Sequence, residues 1–276
     1  MTHNRAMHQG HSARLSIAAL ALVALAFTTA CDKKPKECAA LIGVIDDDDH
    51  RIAEVGAAGK GVQRAAEISG LSKQLASLED KLAADLAALP LTVEGLKTLS
   101  RAYQDFAKET AASARESAEV MDRVVAYEPK VDPARPEGVP QRTKAAVDKM
   151  TDRCKTRRSN ECVKLYDGMK RVLPEAAPGA APPDWATHAK QIDSFVTESA
   201  ATTFKDAELK KSFDEFVASM KAISAVLHEA VELRLKMDAS KAKLDAVLAK
   251  EKPLTDGVNL YCMPQHLQGD AAAGRP

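Results

Sequence analysis

Aromatic side chains are scarce in this sequence: they make up 4% of its 276 residues, with a single Trp. That scarcity argues against a β-sandwich, whose strands draw on aromatic residues, and against a stacking surface for nucleobases. An excess of one charge is also missing. Lys plus Arg number 39 and Asp plus Glu number 39, so there is no basic footprint for nucleic acid. The sequence contains no G-x-S-x-G, no phosphate-binding glycine loop, no H-E-x-x-H and no C-x-x-C-H for haem attachment. Disorder is excluded from the other side, because 28% charged residues stand beside 45% hydrophobic ones.

Long apolar runs are equally rare. The one such run, Leu15–Phe27, has a core of about a dozen residues, where a membrane-spanning helix needs about 20. Before it, Met1–Arg14 carries Arg5 and Arg14 and no acid. Residues 1–30 therefore read as a signal peptide. Thr28, Thr29 and Ala30 then precede Cys31. Small residues before a cysteine resemble the lipobox of bacterial lipoproteins, with Thr28 standing where Leu is usual. The ordinary signal peptidase could cut the same bond and leave a plain secreted chain. The lipoprotein resemblance implies acylation of Cys31, a short tether over 31–37, and a place on the periplasmic face of a bacterial envelope. Asp32 resembles an inner-membrane retention signal, with the outer membrane as the alternative.

The five cysteines then divide into one lipid site and four others, Cys38, Cys154, Cys162 and Cys262. An even set in an oxidising compartment favours disulfides, with three connectivities open.

From Cys38 onward the apolar spacing is helical. One long, imperfect helix is expected up to Pro90, with Gly56, Gly59, Gly61 and Gly70 as weak points and a break near Ser69-Gly70. A second helix, capped by Thr92, stops before Pro129. Residues 128–140 hold four prolines and read as loop, 141–173 as irregular helix, and 174–183 as a Pro/Ala/Gly linker. Cys154 and Cys162 can pair only if the helix breaks over 155–161, with Ser159 or Asn160 capping the helix that resumes after the break. A third helix starts at Asp184. A fourth starts at Asp206 and carries a coiled-coil seam through Leu209, Phe213, Phe216, Met220, Ile223, Leu227, Ala230, Met237, Leu244 and Leu248, ending at Lys252-Pro253. Residues 263–276 read as a disordered tail. A faint repeat at an offset of 113 aligns Leu91–Lys97 with Phe204–Lys210, and Tyr103 with Phe216.

These elements build an all-α, elongated antiparallel bundle over 38–262, up-down-up-down, with a helical excursion (128–183) between helices two and three. In that topology the first and last helices meet at one end, so the most economical pairing is Cys38–Cys262 with Cys154–Cys162. The excursion's residues 141–173 are expected to pack along the anchored end and fill a missing layer. Asp48 or Asp49 interrupts the first seam and Lys241 the last, at similar heights, and Asp49–Lys241 is the hypothetical salt bridge.

Candidate chemistry is thin. Asp46, Asp49 and His50 could share a helical face and hold a cation, although four adjacent acids more simply make a solvated patch. Cys262, Met263 and His266 hold ligand types that suit copper, but a disulfide cysteine beside a tail explains them. The sequence therefore points to a protein that is not an enzyme and carries no cofactor or metal. It reads as a lipid-anchored envelope protein acting as a structural or protein-interaction module, bound to the membrane by its lipid, with a protein partner and no nucleic acid. The alternative is a periplasmic small-ligand-binding or sensor bundle; a third reading is a metal or haem carrier.

Overall fold

A computed structural model describes residues 33–156, 159–173 and 184–264. Residues 1–32, 157–158, 174–183 and 265–276 lie outside them, and with them the expected signal peptide, Cys31, the linker and most of the expected tail.

The described residues form eight helices and no strand: α1 (Lys33–Ala58), α2 (Ala65–Ala88), α3 (Glu94–Val131), α4 (Val139–Thr156), α5 (Asn160–Val172), α6 (Trp185–Ser199), α7 (Ala207–Leu248) and α8 (Glu251–Cys262). The fold is an all-α helical bundle. None of these helices is long and apolar enough to cross a membrane.

The expected first helix is in fact a hairpin. The chain reverses over 59–64, where Gly61 takes a φ of +80°, a conformation that costs any residue with a Cβ. Gly70, the expected break, lies inside α2. α2 returns alongside α1, so the foot of α1 meets the α2–α3 turn. There the Glu37 carboxylate accepts hydrogen bonds from the backbone N–H of Thr92 (2.8 Å) and Val93 (2.9 Å). Thr92 is therefore not the cap of α3. Val93 holds that position, and a carboxylate from α1 satisfies the free N–H groups of this turn.

Other caps agree with the sequence. Ser159 accepts from Cys162 N at 3.3 Å, Asp184 from Thr187 N at 3.1 Å, and Asp206 from Glu208 N and Leu209 N at 3.0 and 3.1 Å. Two prolines act otherwise than expected. Pro129 sits inside the last turn of α3. Pro253 does not end the last long helix. α7 stops at Leu248, and Pro253 lies in the first turn of α8, where its missing N–H goes unused.

α3 and α7 are the two longest helices, 38 and 42 residues. They pair antiparallel, laced by Glu109–Lys250, Glu116–Lys243, Arg123–Glu232 and Lys130–Glu229. The series continues onto α4 with Lys149–Glu215 and Arg153–Glu208. As the α3–α4 position rises, its α7 partner falls, so α4 extends the line of α3 along α7. This corrects the expected place of the excursion. It packs at the end of α7 remote from Cys262, because the 132–138 turn carries the chain onward instead of folding it back.

Two cores result. One joins Cys38, Leu41, Ile45, Leu82, Leu86, Leu96, Tyr103, Phe106, Val247 and Val258, from α1, α2, α3, α7 and α8. The other joins Met150, Cys154, Cys162, Leu165, Ile192, Phe195, Phe213, Phe216 and Met220, from α4 to α7. α7 serves both, so its buried face turns along its length. Leu209–Met220 keep to the expected seam, but Leu233, Ser240 and Val247 replace Met237, Leu244 and Leu248. Lys241 pairs with Asp245 one turn along its own helix at 3.0 Å, not with Asp49.

The faint repeat becomes a shared plan. At the 113 offset the buried pairs Ala76 and Ala189, Leu82 and Phe195, Leu96 and Leu209, and Tyr103 and Phe216 correspond. The same offset carries the ion pair Lys130–Glu229 onto Lys243–Glu116. α1 and α5 open alike with Glu37-Cys38-x-x-Leu41 and Glu161-Cys162-x-x-Leu165, an offset of 124. Glu161 accepts from Lys205 N at 2.7 Å, as Glu37 does from Thr92 N, and Thr92 and Lys205 again differ by 113. The halves α1–α4 and α5–α8 thus repeat each other. Each half opens on one cysteine and closes on another. The bonds are Cys38–Cys262, between halves, and Cys154–Cys162, across their junction.

The two disulfides close loops of very different length, with sequence separations of 224 and 8. In the chain-entropy account, replacing Cys38 and Cys262 by Ala lowers the unfolding free energy by about 5 kcal/mol, and replacing Cys154 and Cys162 by about 3 kcal/mol. Urea melts of the two double variants check this. Equal losses, or a larger loss for the short loop, would contradict it.

Candidate functional site

Three places concentrate polar chemistry, and the first is the foot of the bundle. Lys33, Lys34 and Lys36 occupy the first turn of α1, which holds no acid. Cations at a helix N-terminus run against the macrodipole. Lys34 lies over the Tyr261 ring, 4.5 Å from its centroid, and Tyr261 packs so close to Gly95 that a Cβ there would meet its Cε2 at 2.7 Å. The hydrogen bond from the Thr92 hydroxyl, then those of the Val93 and Thr92 backbone, hold the Glu37 carboxyl below its usual range. The foot is thus stitched by one disulfide, one carboxylate cap and one cation–π contact.

The second place is Asp193 on α6. Its carboxylate accepts from the Ser224 hydroxyl and lies 2.8 Å from His228 Nε2, both on α7. These hydrogen bonds, that of Ser224 first, hold Asp193 below the ordinary range. Serine, aspartate and histidine meet here, but in the wrong order for nucleophilic catalysis. A catalytic serine gives its proton to a histidine that a carboxylate orients. Here the carboxylate stands between the other two, so Ser224 is held and not activated. The arrangement ties α6 to α7.

The third place is buried. Asp48 on α1 and Glu79 on α2 are 3% and 1% exposed, and Asp48 Oδ1 and Glu79 Oε2 have no hydrogen-bond partner. Asp48 continues the buried series Cys38, Leu41, Ile45. Burial, and then the charge of Asp49, push the Asp48 carboxyl up to about 6. Burial, then the charges of Asp48, Glu251 and Asp49, pushes Glu79 up to about 8. The sequence points to Asp46, Asp49 and His50 as a cation site and to Asp48 only as an alternative to Asp49 opposite Lys241. The structure instead leaves Asp46, Asp47 and His50 exposed, pairs His50 with Glu54 at 3.7 Å, and buries Asp48. Glu79 was missed altogether. The signal that marks both is their position in the apolar register of a helix.

Among the described residues no group of three or more His, Cys, Asp or Glu side chains is arranged to hold a metal ion. Cys262 is committed to its disulfide, and His266 lies outside the described residues. Two open grooves complete the surface. One, of 480 Å³, lies between the end of α3, the start of α4 and α7, floored by Val139, Ala222 and Val226 and rimmed by Lys130, Arg135 and Arg142. The other, of 540 Å³, lies where α7 gives way to α8 against α3, between Phe106, Leu254 and the Glu109–Lys250 pair.

Neither family models, nor curated proteins, nor solved structures match this chain.

If Ser224 is merely a tie between helices, a fluorophosphonate probe leaves it unlabelled at neutral pH. Stoichiometric labelling of Ser224 that His228→Ala abolishes would show an activated nucleophile and overturn this reading.

Proposed function

We propose that this chain is a lipid-anchored protein of a bacterial envelope that acts as a structural or protein-interaction module without catalysis of its own. The observation that carries the reading is the sequence Thr28-Thr29-Ala30-Cys31 after an apolar run, placed two residues before the stitched foot of α1. A lipid on Cys31 would hold that foot at the bilayer, with the lysines of the first turn facing the headgroups. A 42-residue helix reaches about 63 Å, so the α4–α7 end would stand well away from the surface. That end carries Val163 and Tyr166, exposed and three residues apart on one face of α5, a natural place for a partner protein.

The alternative, a periplasmic small-ligand or sensor bundle, draws on the two grooves, whose volumes fall within the range of ligand sites. Both are open, and their Lys130 and Lys250 ammonium groups are neutralised by Glu229 and Glu109. This favours the interaction module.

Expressed as the full chain in a bacterium, the protein should incorporate an alkyne-tagged fatty acid, and Cys31→Ala should abolish incorporation and release the protein from the membrane fraction. A photo-crosslinker at Tyr166 should then give one reproducible protein adduct in the native envelope. Absence of lipid label in the wild type would remove the anchor. Absence of any adduct would remove the interaction role.

A further inference from the structure

The paired acids of α1 and α2 stand where the other half of the molecule is apolar. The 124 offset that aligns Cys38 with Cys162 and Leu41 with Leu165 carries Asp48 onto Val172. The 113 offset that aligns Ala76 with Ala189 and Leu82 with Phe195 carries Glu79 onto Ile192. Val172 and Ile192 are 1% and 0% exposed and belong to the same half's buried packing. One plan is thus built twice, once with Val and Ile in the seam and once with Asp and Glu.

The surroundings of the acids supply little compensation. Neither carboxyl is in an ion pair among the described residues, and each leaves one oxygen without a hydrogen bond. On α1, Asp49 and Arg51 act on Asp48; on α2, Lys81 does so, although its ammonium is paired with Asp85 at 2.5 Å. α8 contributes Glu251, a third negative charge. The buried residues of α3 and α7 bring no carboxylate and no amine. Two desolvated like charges close enough for Asp48 to raise Glu79 cannot both be ionised at modest cost. The ligand that such a pair takes up is a proton.

Asp48 is also the last buried residue of α1. Residues 49–58 are at most half-buried, and the 59–64 turn comes next. At the other end, Cys38–Cys262 and the Glu37 cap fix the foot. We propose that Asp48 and Glu79 form a proton-binding latch, which fastens the outer half of α1 to α2 when protonated and releases it when ionised.

The direction of the shifts sets the sign. Both groups hold their protons more tightly folded than unfolded, so folding takes up protons. Their contribution is complete below the ordinary carboxylate range near pH 4, and it is lost as pH rises through about 6 for Asp48 and about 8 for Glu79. The depressed carboxyls Glu37, Asp122, Asp193, Glu198 and Glu232 have the opposite sign, and their effect lies in the acid range below pH 5.

The test compares the mature wild-type protein with Asp48→Asn/Glu79→Gln and with Asp48→Val/Glu79→Ile, the pair found in the other half. In the wild type, Tm should fall by roughly 5–10 °C between pH 5.5 and 8.5. Amide exchange over residues 49–58, corrected for its intrinsic pH dependence, should accelerate at least tenfold. In both double variants these differences should shrink to a small residue, with the Val/Ile variant protected at both pH values. Carboxyl NMR on the wild type, which needs no variant to fold, should place the higher titration of the pair above pH 7. Wild-type titrations near pH 4, or exchange over 49–58 that ignores pH, would overturn the proposal. So would protection restored at pH 8.5 by millimolar Ca²⁺ in the wild type alone, because the ligand would then be a cation and not a proton.

Discussion

The antiparallel pairing of α3 with α7 is the contact on which the rest of the molecule depends. α7 serves both cores, and α3 lines the first core along with the alanine cluster it shares with α2. The pairs that lace it, Glu109–Lys250 through Lys130–Glu229, are solvent-exposed and individually contribute about 0–1 kcal/mol. Their effect is to set register more than to supply stability. Burial does the holding: Phe106, Ser113 and Val120 on α3, and Leu233, Ser240 and Val247 on α7, recur at the seven-residue step of a coiled coil. Ser113 and Ser240 are buried in these rows without hydrogen bonds for their hydroxyls, so the small residues favour close approach at the cost of two unsatisfied groups. Because Lys130–Glu229 and Lys243–Glu116 exchange under the repeat, the pairing relates one half of the chain to the other, and α4 lies on α7 as α8 lies on α3.

Much of this was legible in the sequence, and the parts that were not have physical reasons. Helix existence came from apolar spacing, and the caps Ser159, Asp184 and Asp206 from side chains that reach an N–H two or three residues ahead. The cysteine pairing came from the meeting of the first and last helices, a property of topology and not of local sequence. The hairpin at 59–64 was hidden. Four glycines weaken that stretch by similar propensity, and only the fold reveals that Gly61 is the one with positive φ. The direction of α4 was equally hidden, since it rests on Lys149 and Arg153 finding Glu215 and Glu208 far along the chain. The α3 cap misled for a related reason: Thr92 has the right chemistry, but its hydroxyl donates to Glu37, a charged acceptor on another helix that also takes the Thr92 and Val93 N–H groups.

Asp48 and Glu79 show how a repeat sharpens a reading that single positions leave blunt. In isolation, Asp48 belongs to a run of four aspartates that suits a solvated face, and Glu79 is one of many helical glutamates. Placed beside Val172 and Ile192, both become apolar positions occupied by acids. Each half has the same cap, the same cysteine and the same buried leucine at the opening of its first helix. The difference between the halves in this layer therefore reduces to two side chains, not to a difference of architecture.

That localisation decides what a change in protonation can move. α1 is held at its foot by a covalent bond and a carboxylate cap, neither of which titrates near neutrality, and farther along by the layer containing Asp48. α3 and α7 contain no buried acid, and the ion pairs that lace them involve neither Asp48 nor Glu79, so their pairing does not depend directly on that titration. The response is confined to the outer half of one helix, with the rod behind it unchanged. In the opposite half α5 is 13 residues long against 26 for α1, and its buried series closes on Val172. It has no outer half to release. The acid pair thus occurs in the half whose first helix runs on past its last buried layer, the only arrangement of the two in which a titrating seam position has a segment to move.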